Sequence, residues 1–213
     1  MIVTALLPGK NGKKKVYVDE CYLFSLYPKE LKQYEIKIDQ PISKESVDSI
    51  YEGCLLHRGR VRAMNLLIKK DYTRAQIKEK LLQSEYTEPT ITSVIEYLDQ
   101  FHYLDDVRYA TQFISFQKSS KSRRQIEQLL KGKGVSKEDI TSAYEACGEE
   151  YDLEEEEQQL LHNLIAKKCK RLHKDTMTYE DWGKVYQFLA AKGFSSGSIR
   201  NAVTGYRESH DDF

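Results

Sequence analysis

The chain has no run of 18 apolar residues, so no segment is long enough to cross a bilayer as a helix. Its opening, Met1 to Lys15, places lysines after a very short apolar run instead of before a long one, the reverse of a secretory signal. Cysteine is scarce. Cys21, Cys54, Cys147 and Cys169 lie far apart and have no CxxC spacing, as expected of free thiols in a reducing cytoplasm. Net charge is missing too, because 33 Lys and Arg balance 33 Asp and Glu. There is no glycine-rich phosphate loop, no GxSxG and no HExxH. The nearest approach to a metal-ligand set is His162, Cys169 and His173, whose spacing fits no zinc module. Asp105 and Asp106 are adjacent, hence on different helical azimuths, and make a poor acid/base pair. These absences favour a binding protein over an enzyme, with no metal and no cofactor.

What the chain does contain is a repeat. Thr73 to Leu98, Ser122 to Cys147 and Asp181 to Tyr206 align without a gap at offsets of 49 and 59 residues. A helix-capping residue opens each copy (Thr73, Ser122, Asp181), and apolar residues follow at Ile77, Ile126 and Val185, then at Leu81, Leu130 and Leu189. Each copy turns through Tyr86, Val135 or Phe194, followed by Thr87, Ser136 or Ser195 as a second cap and by Ile91, Ile140 or Ile199 four residues on. An apolar residue before an N-cap paired with one at the fourth helical position is a hydrophobic staple, here repeated three times in register. Cys147 aligns with Leu98 and Tyr206, an ordinary core position.

Further helices are expected at Val47 to Leu56, through Ala63, Leu66 and Leu67, at Val107 to Gln117 and at Leu153 to Lys170. Each unit then reads as three helices. The fold class is mainly α, with tandem three-helix units forming an elongated curved solenoid. The boundaries expected are 43–100, 101–148 and 149–213. Residues 1–42 form a small β-meander, with strands around Ile2 to Leu7, Val16 to Val18 and Tyr22 to Phe24 and a further one through Ile36 and Ile38. A short helix from Pro28 to Tyr34 interrupts it. So few strands need support from the first unit. With 31% charged and 40% hydrophobic residues, several small cores are expected in place of one large one.

The charge balance hides an asymmetry. Residues 1–148 carry 24 Lys and Arg against 20 Asp and Glu, and residues 149–213 carry 9 against 13, which suits different partners for the two parts. Lys118, Lys121, Arg123, Arg124, Lys131 and Lys133 fall within sixteen positions that hold one acid, Glu127. Arg123 and Arg124 directly follow the cap Ser122, and Arg74 follows Thr73, so guanidinium groups stand at the positive end of a helix dipole, where they are disfavoured. That placement points to an anionic partner, a phosphate backbone or an acidic protein surface. A solvated lysine-rich face is the other reading. Lys167, Lys168, Lys170, Arg171 and Lys174 close a helix that opens with Glu149, Glu150, Asp152 and Glu154 to Glu157, and dipole complementarity accounts for both ends. Lys10, Lys13, Lys14 and Lys15 read as a solvated hairpin tip. Tyr103 and Leu104 are expected to plug the seam between the first two units, with Asp105 or Asp106 capping the next helix. Trp182, at the place of Arg74 and Arg123, trades a contact for packing.

Thr73-Arg74-Ala75-Gln76-Ile77-Lys78-Glu79-Lys80-Leu81, Tyr103-Leu104-Asp105-Asp106 with Tyr109, Ala110 and Phe113, and Arg123-Arg124-Gln125-Ile126 with Leu130, Gly132, Gly134 and Val135 carry a resemblance to the bacterial RecX family, regulators of the RecA recombinase. It covers about residues 45–206. His102 stands where the family usually has Gly, Ser120 and Lys121 where Gly-Pro is common, and Gln125 to Gln128 lack the usual Glu-Leu. The resemblance implies a tandem of three-helix units lying in the groove of the RecA filament on DNA and suppressing ATP hydrolysis and strand exchange. Arg74, Arg123 and Arg124 are the leading candidate contacts, supported by Lys118, Lys121, Lys131 and Lys133. A monomer is expected, with weak salt-sensitive DNA contact. Two alternatives stay open: a helix-turn-helix protein that reads duplex DNA directly, and a scaffold that holds a helical peptide in an apolar groove.

Overall fold

A computed structural model describes residues 1–150, 152–172 and 177–209, of which 1–105 and those from Asp106 onward form two compact units. His173, Lys174 and His210 lie outside the described residues. The helices are α1 (Pro28–Gln33), α2 (Lys44–Ile50), α3 (His57–Leu67), α4 (Arg74–Gln83), α5 (Glu88–Gln100), α6 (Asp106–Gln117), α7 (Arg123–Gly132), α8 (Lys137–Glu150), α9 (Leu153–Leu172), α10 (Tyr179–Ala191) and α11 (Ser196–Glu208).

The first unit opens with an antiparallel meander of β1 (Val3–Pro8), β2 (Lys14–Val18) and β3 (Cys21–Leu26), in that order across the sheet. Asp19 and Glu20, joining β2 to β3, both take positive φ (47° and 67°), as a two-residue hairpin of matching twist requires. Val16, Val18, Phe24 and Leu26 are buried, and their face forms one core with Ile36, Ile42, Ile50 and Leu55. The strand expected through Ile36 and Ile38 is absent. Glu35 and Asp39 sit at φ 55° and 57°, left-handed positions that break an extended run, and Ile36 is buried while Ile38 is exposed. The two helices expected between Val47 and Leu67 are one helical run: a π-helical stretch, Tyr51–Leu56, joins α2 to α3 with right-handed backbone at both joints. Nothing in that stretch stops a helix, and Gly53 alone is too weak a breaker.

The basic loop at the β1–β2 hairpin is not a solvated tip. Lys13 is 4% exposed, and its Nζ donates to the carbonyl of Ser84 at 2.5 Å. Lys10 Nζ donates to the Gln83 carbonyl at 3.2 Å, and Glu85 Oε2 accepts from the Lys10 amide at 2.9 Å. The hairpin thus caps the C-terminus of α4, where cations are electrostatically favoured, and this is how the sheet leans on the first three-helix unit. A second core, from Ala63, Leu66, Ile77, Leu81, Tyr86, Ile91, Val94, Leu98 and Leu104, lies among α3, α4 and α5. Gly59 permits it, since a Cβ there would stand 2.8 Å from Val94 Cγ2.

The second unit holds two such cores, one in α6–α8 that includes Cys147 and one in α9–α11. Thr73, Ser122, Ser136 and Ser195 cap their helices as the sequence indicates, and Ser43 caps α2, each accepting from the amide three residues on. Thr87 stands at the N-cap of α5, but its hydroxyl meets that of Thr90 at 3.1 Å and takes no backbone amide. Asp181 does not. The cap of α10 is Thr178, and Asp181 is the buried third residue, whose carboxylate reaches back to the Thr178 amide and hydroxyl. The third copy has gained a helical turn before the aligned stretch, so Trp182 is not a helix-start residue. It packs edge-on against Tyr206.

The repeat also fixes helix ends. Glu85, Gly134 and Gly193 are equivalent positions, and all take positive φ (64°, 79°, 86°). In each, the next amide (Tyr86, Val135, Phe194) returns to the carbonyl of Leu81, Leu130 or Leu189, the six-to-one bond of a Schellman cap.

Candidate interaction surface

The N-terminus of α7 is held from three sides. Ser122 Oγ accepts from the Gln125 amide at 3.3 Å and donates to the Lys192 carbonyl, the C-cap of α10, at 2.6 Å. Tyr144 of α8 donates to the Arg123 carbonyl at 3.3 Å. Glu157 of α9 accepts from the Arg123 amide at 3.2 Å, placing a carboxylate at the positive end of the helix. Burial, with Glu127 next, drives the Tyr144 hydroxyl well above its ordinary pKa, against the pull of Arg123.

Around this anchor the predicted basic residues divide by what they already touch. Arg123 lies over the Tyr144 ring at 4.4 Å and pairs through Nε with Glu127 at 3.0 Å, yet its side chain is 61% exposed. Arg74 pairs with Asp99 of α5 through Nε and Nη2 at 3.0 and 2.9 Å and is 43% exposed. Exposed pairs of this kind contribute about 0–1 kcal/mol, so an anionic partner can replace the internal carboxylate. Lys118 is committed more deeply: its side chain is 14% exposed and its Nζ is 2.8 Å from Glu156. Lys121 bonds Gln117 Oε1 at 2.7 Å, and Lys133 lies 5.4 Å from the Phe113 ring centre. Arg124 and Lys131 are exposed, and being seven residues apart they share one face of α7, about 10 Å along its axis.

The acidic start of α9 was legible as dipole complementarity only. Its chemistry is more specific, because Glu156 and Glu157 reach to Lys118 and to the start of α7, and Glu154 and Glu157 line a hollow of about 150 Å³ with Lys121, Arg123 and Tyr144. No spacing rule links residues more than thirty positions apart, so the sequence held no signal for this contact.

Of the Tyr103 to Asp106 motif, Leu104 is buried in the α3–α5 core and Tyr103, stacked near Phe101, is 42% exposed. Asp105 directly precedes α6, and Asp106, its first residue, is buried. Among the described residues no group of His, Cys, Asp and Glu could hold a metal ion, and no helix is long and apolar enough to cross a membrane. Burial, with the hydrogen bond it donates to Glu30 next, pushes the Cys54 thiol up to about 11, which makes it a poor nucleophile.

The fold and surface define a class: tandem three-helix domains, each with its own core, and ion-paired but exposed cations at helix starts. The first, second and third three-helix domains of RecX match at residues 60–98, 105–143 and 154–203, together more than half of the chain. The chain belongs to the RecX family. It is similar to the regulatory protein RecX of Clostridium botulinum, 28% identical over 204 residues covering 94% of each, and to that of Clostridium beijerinckii, 28% identical over 191 residues covering 88% of this chain and 87% of the relative. A crystal structure of regulatory protein RecX superposes with a TM-score of 0.64 at 22% identity, covering 94% of this chain and 98% of the other. RecX from Lactobacillus salivarius superposes at 0.62 with 23% identity, covering 71% and 96%. This kinship gives the chain a RecX regulatory role.

Proposed function

We propose that the protein is a non-enzymatic regulator that binds RecA filaments on DNA and lowers their ATP hydrolysis and strand exchange. The observation that carries the reading is end-to-end similarity to proteins named regulatory protein RecX, covering 94% of this chain and of the relative. Physical support comes from Arg123 and Arg124. Both are exposed at the start of α7, a position where the dipole opposes a cation, so their charge is more useful to an anionic partner than to the helix. Arg74 occupies the equivalent first position of α4 and has only an exposed pair to give up. A filament of protein wound on nucleic acid presents repeated negative charge, and tandem domains suit a partner with a repeating surface.

The test is a titration of RecA, single-stranded DNA and ATP with this protein, beside Arg123→Glu/Arg124→Glu checked for an unchanged helical spectrum. Hydrolysis should fall with the natural chain and recover with the variant. Hydrolysis that the natural chain leaves unchanged rejects the proposal. Tight, sequence-dependent binding to duplex DNA without RecA would replace it with direct DNA reading.

A further inference from the structure

A second group of cations gathers away from the start of α7, at the ends of α9 and α10. On α9, Leu164, Lys167, Lys168 and Arg171 stand at i, i+3, i+4 and i+7 and form one stripe. That stripe meets Phe188 and Lys192 of the α10 end around a hollow of about 190 Å³. Lys168 Nζ is 5.2 Å from the centre of the Phe188 ring and Lys192 Nζ is 5.3 Å from it, so ammonium groups from two helices converge on one aromatic face region. Lys167 and Arg171 are exposed, and Lys168, Lys192 and Phe188 are half-buried. Among the described residues no carboxylate lines the hollow. Arg74, Lys118 and Arg123 each have a carboxylate in hand.

Dipole complementarity explains the tolerance of basic residues in the last turn of α9, but it fades within one turn. It accounts for Lys192 at the C-cap of α10 as well, but not for a like-charged row on α9 that starts earlier, nor for the convergence of both sets on one hollow. Like charges three and four apart on a helix oppose one another, so the arrangement is one that a bound anion relieves. The aromatic floor narrows the ligand. A flexible single strand of nucleic acid offers both a phosphodiester for the cations and an unstacked base for the ring, a combination that acidic peptides lack.

We infer that Lys167, Lys168, Arg171 and Lys192, gathered around Phe188 in the third three-helix domain, form a binding site for single-stranded nucleic acid. The cations hold the backbone, and the ring takes a base as the strand displaces ammonium groups from it. Lys192 also holds the α7 start through its carbonyl, so binding of an oligonucleotide without RecA is what tests this site apart from the RecA reading.

The experiment measures binding of fluorescently labelled oligothymidylate to the full chain across a series of salt concentrations. Lys168→Gln/Lys192→Gln should weaken binding at least about fivefold and lower the slope of log affinity against log salt by about 1.4, the counterion release of two single-strand phosphate contacts. Lys167→Gln/Arg171→Gln, at exposed positions that cannot disturb a core, should do the same. Phe188→Leu should weaken binding about fivefold or more with the slope unchanged, as loss of a stacked base would. Unchanged affinity and slope in both charge variants overturn the site. Displacement of the oligonucleotide by polyglutamate at equal charge concentration overturns its assignment to nucleic acid. RecA ATPase measured with the same variants reports separately on the filament reading.

Discussion

Lys13 Nζ sits 2.5 Å from the carbonyl oxygen of Ser84, the C-cap of α4, so a lysine on a β-hairpin closes a helix seventy-one residues further along. Three cationic or aromatic neighbours surround it: the Tyr86 ring at 5.1 Å, the Tyr27 ring at 5.8 Å, and Arg58, whose Nη1 is bound to Glu30. Burial first, and the Arg58 charge second, lower the pKa of Lys13. The ammonium is therefore held at a cost that the helix-end carbonyl and the ring faces offset.

Reversing that charge should detach the sheet. Lys13→Glu would face a carboxylate with the negative end of α4, and should cost about 3 kcal/mol or more, as breaking a buried charged contact does. Lys13→Met should cost less, because it removes a charge that burial already disfavours. Urea unfolding followed by circular dichroism ranks the two; Lys13→Glu as stable as the natural chain would mean that the hairpin contributes nothing to the fold.

Alkaline pH should destabilise the protein through its buried tyrosines. Tyr86 and Tyr144 both have pKa values raised chiefly by burial, from an unfolded value of 10.0. The folded chain then binds more protons than the unfolded one above that value, so their contribution is complete below pH 10.0 and declines as pH rises toward the folded pKa. Tyr144→Phe should cost about 1 kcal/mol near neutral pH, for the lost bond to the Arg123 carbonyl, and should show a shallower loss of stability above pH 10.0. Denaturation midpoints across the alkaline range supply the comparison, and parallel curves for the two proteins would contradict it.

His102 is a residue in the wrong backbone. It follows the C-cap of α5 at φ 55°, and the Tyr103 amide returns to the Leu98 carbonyl at 2.9 Å, so the helix ends in the same Schellman geometry that Gly134 and Gly193 adopt without strain. Its side chain is exposed. His102→Gly should stabilise the chain by about 1 kcal/mol, the left-handed penalty less the added entropy of the unfolded state. A lower melting temperature would show that the imidazole holds the turn in some other way.

The local rules of the sequence carried far, and they failed where contacts skip along the chain. Staples, and the caps at Thr73, Ser122, Ser136 and Ser195, were legible because they bind residues three to five apart: Tyr86 and Ile91, Val135 and Ile140, Phe194 and Ile199 are all buried as paired. The cap of α10 was misplaced because Asp181 is a plausible cap in isolation, and only the Thr178 amide reveals its role as third residue. The fourth strand was read from alternation at Ile36 and Ile38, which positive φ at Glu35 and Asp39 overrides. The hairpin lysines looked solvated because charge alone says nothing of a helix end placed seventy residues away. At the surface, the sequence supplied the cations but not their carboxylates, since Glu156 and Glu157 reach them only through folding.

Those two carboxylates give the last prediction. Glu156 neutralises Lys118, and Glu157 occupies the amide end of α7 beside Arg123, so the start of α9 already fills part of the space an anionic partner would take. If the α7 surface engages the filament, Glu156→Gln/Glu157→Gln should strengthen inhibition of RecA ATP hydrolysis by on the order of threefold, chiefly through faster association at low salt. The gain should shrink as salt rises, because screening weakens steering by exposed charges. Stability should fall only slightly, since glutamine can still accept from the Arg123 amide and Lys118 keeps partial contact with water. Weaker inhibition by the double variant, at unchanged melting temperature, would place the acids themselves in the contact and reverse the sign of the electrostatic argument.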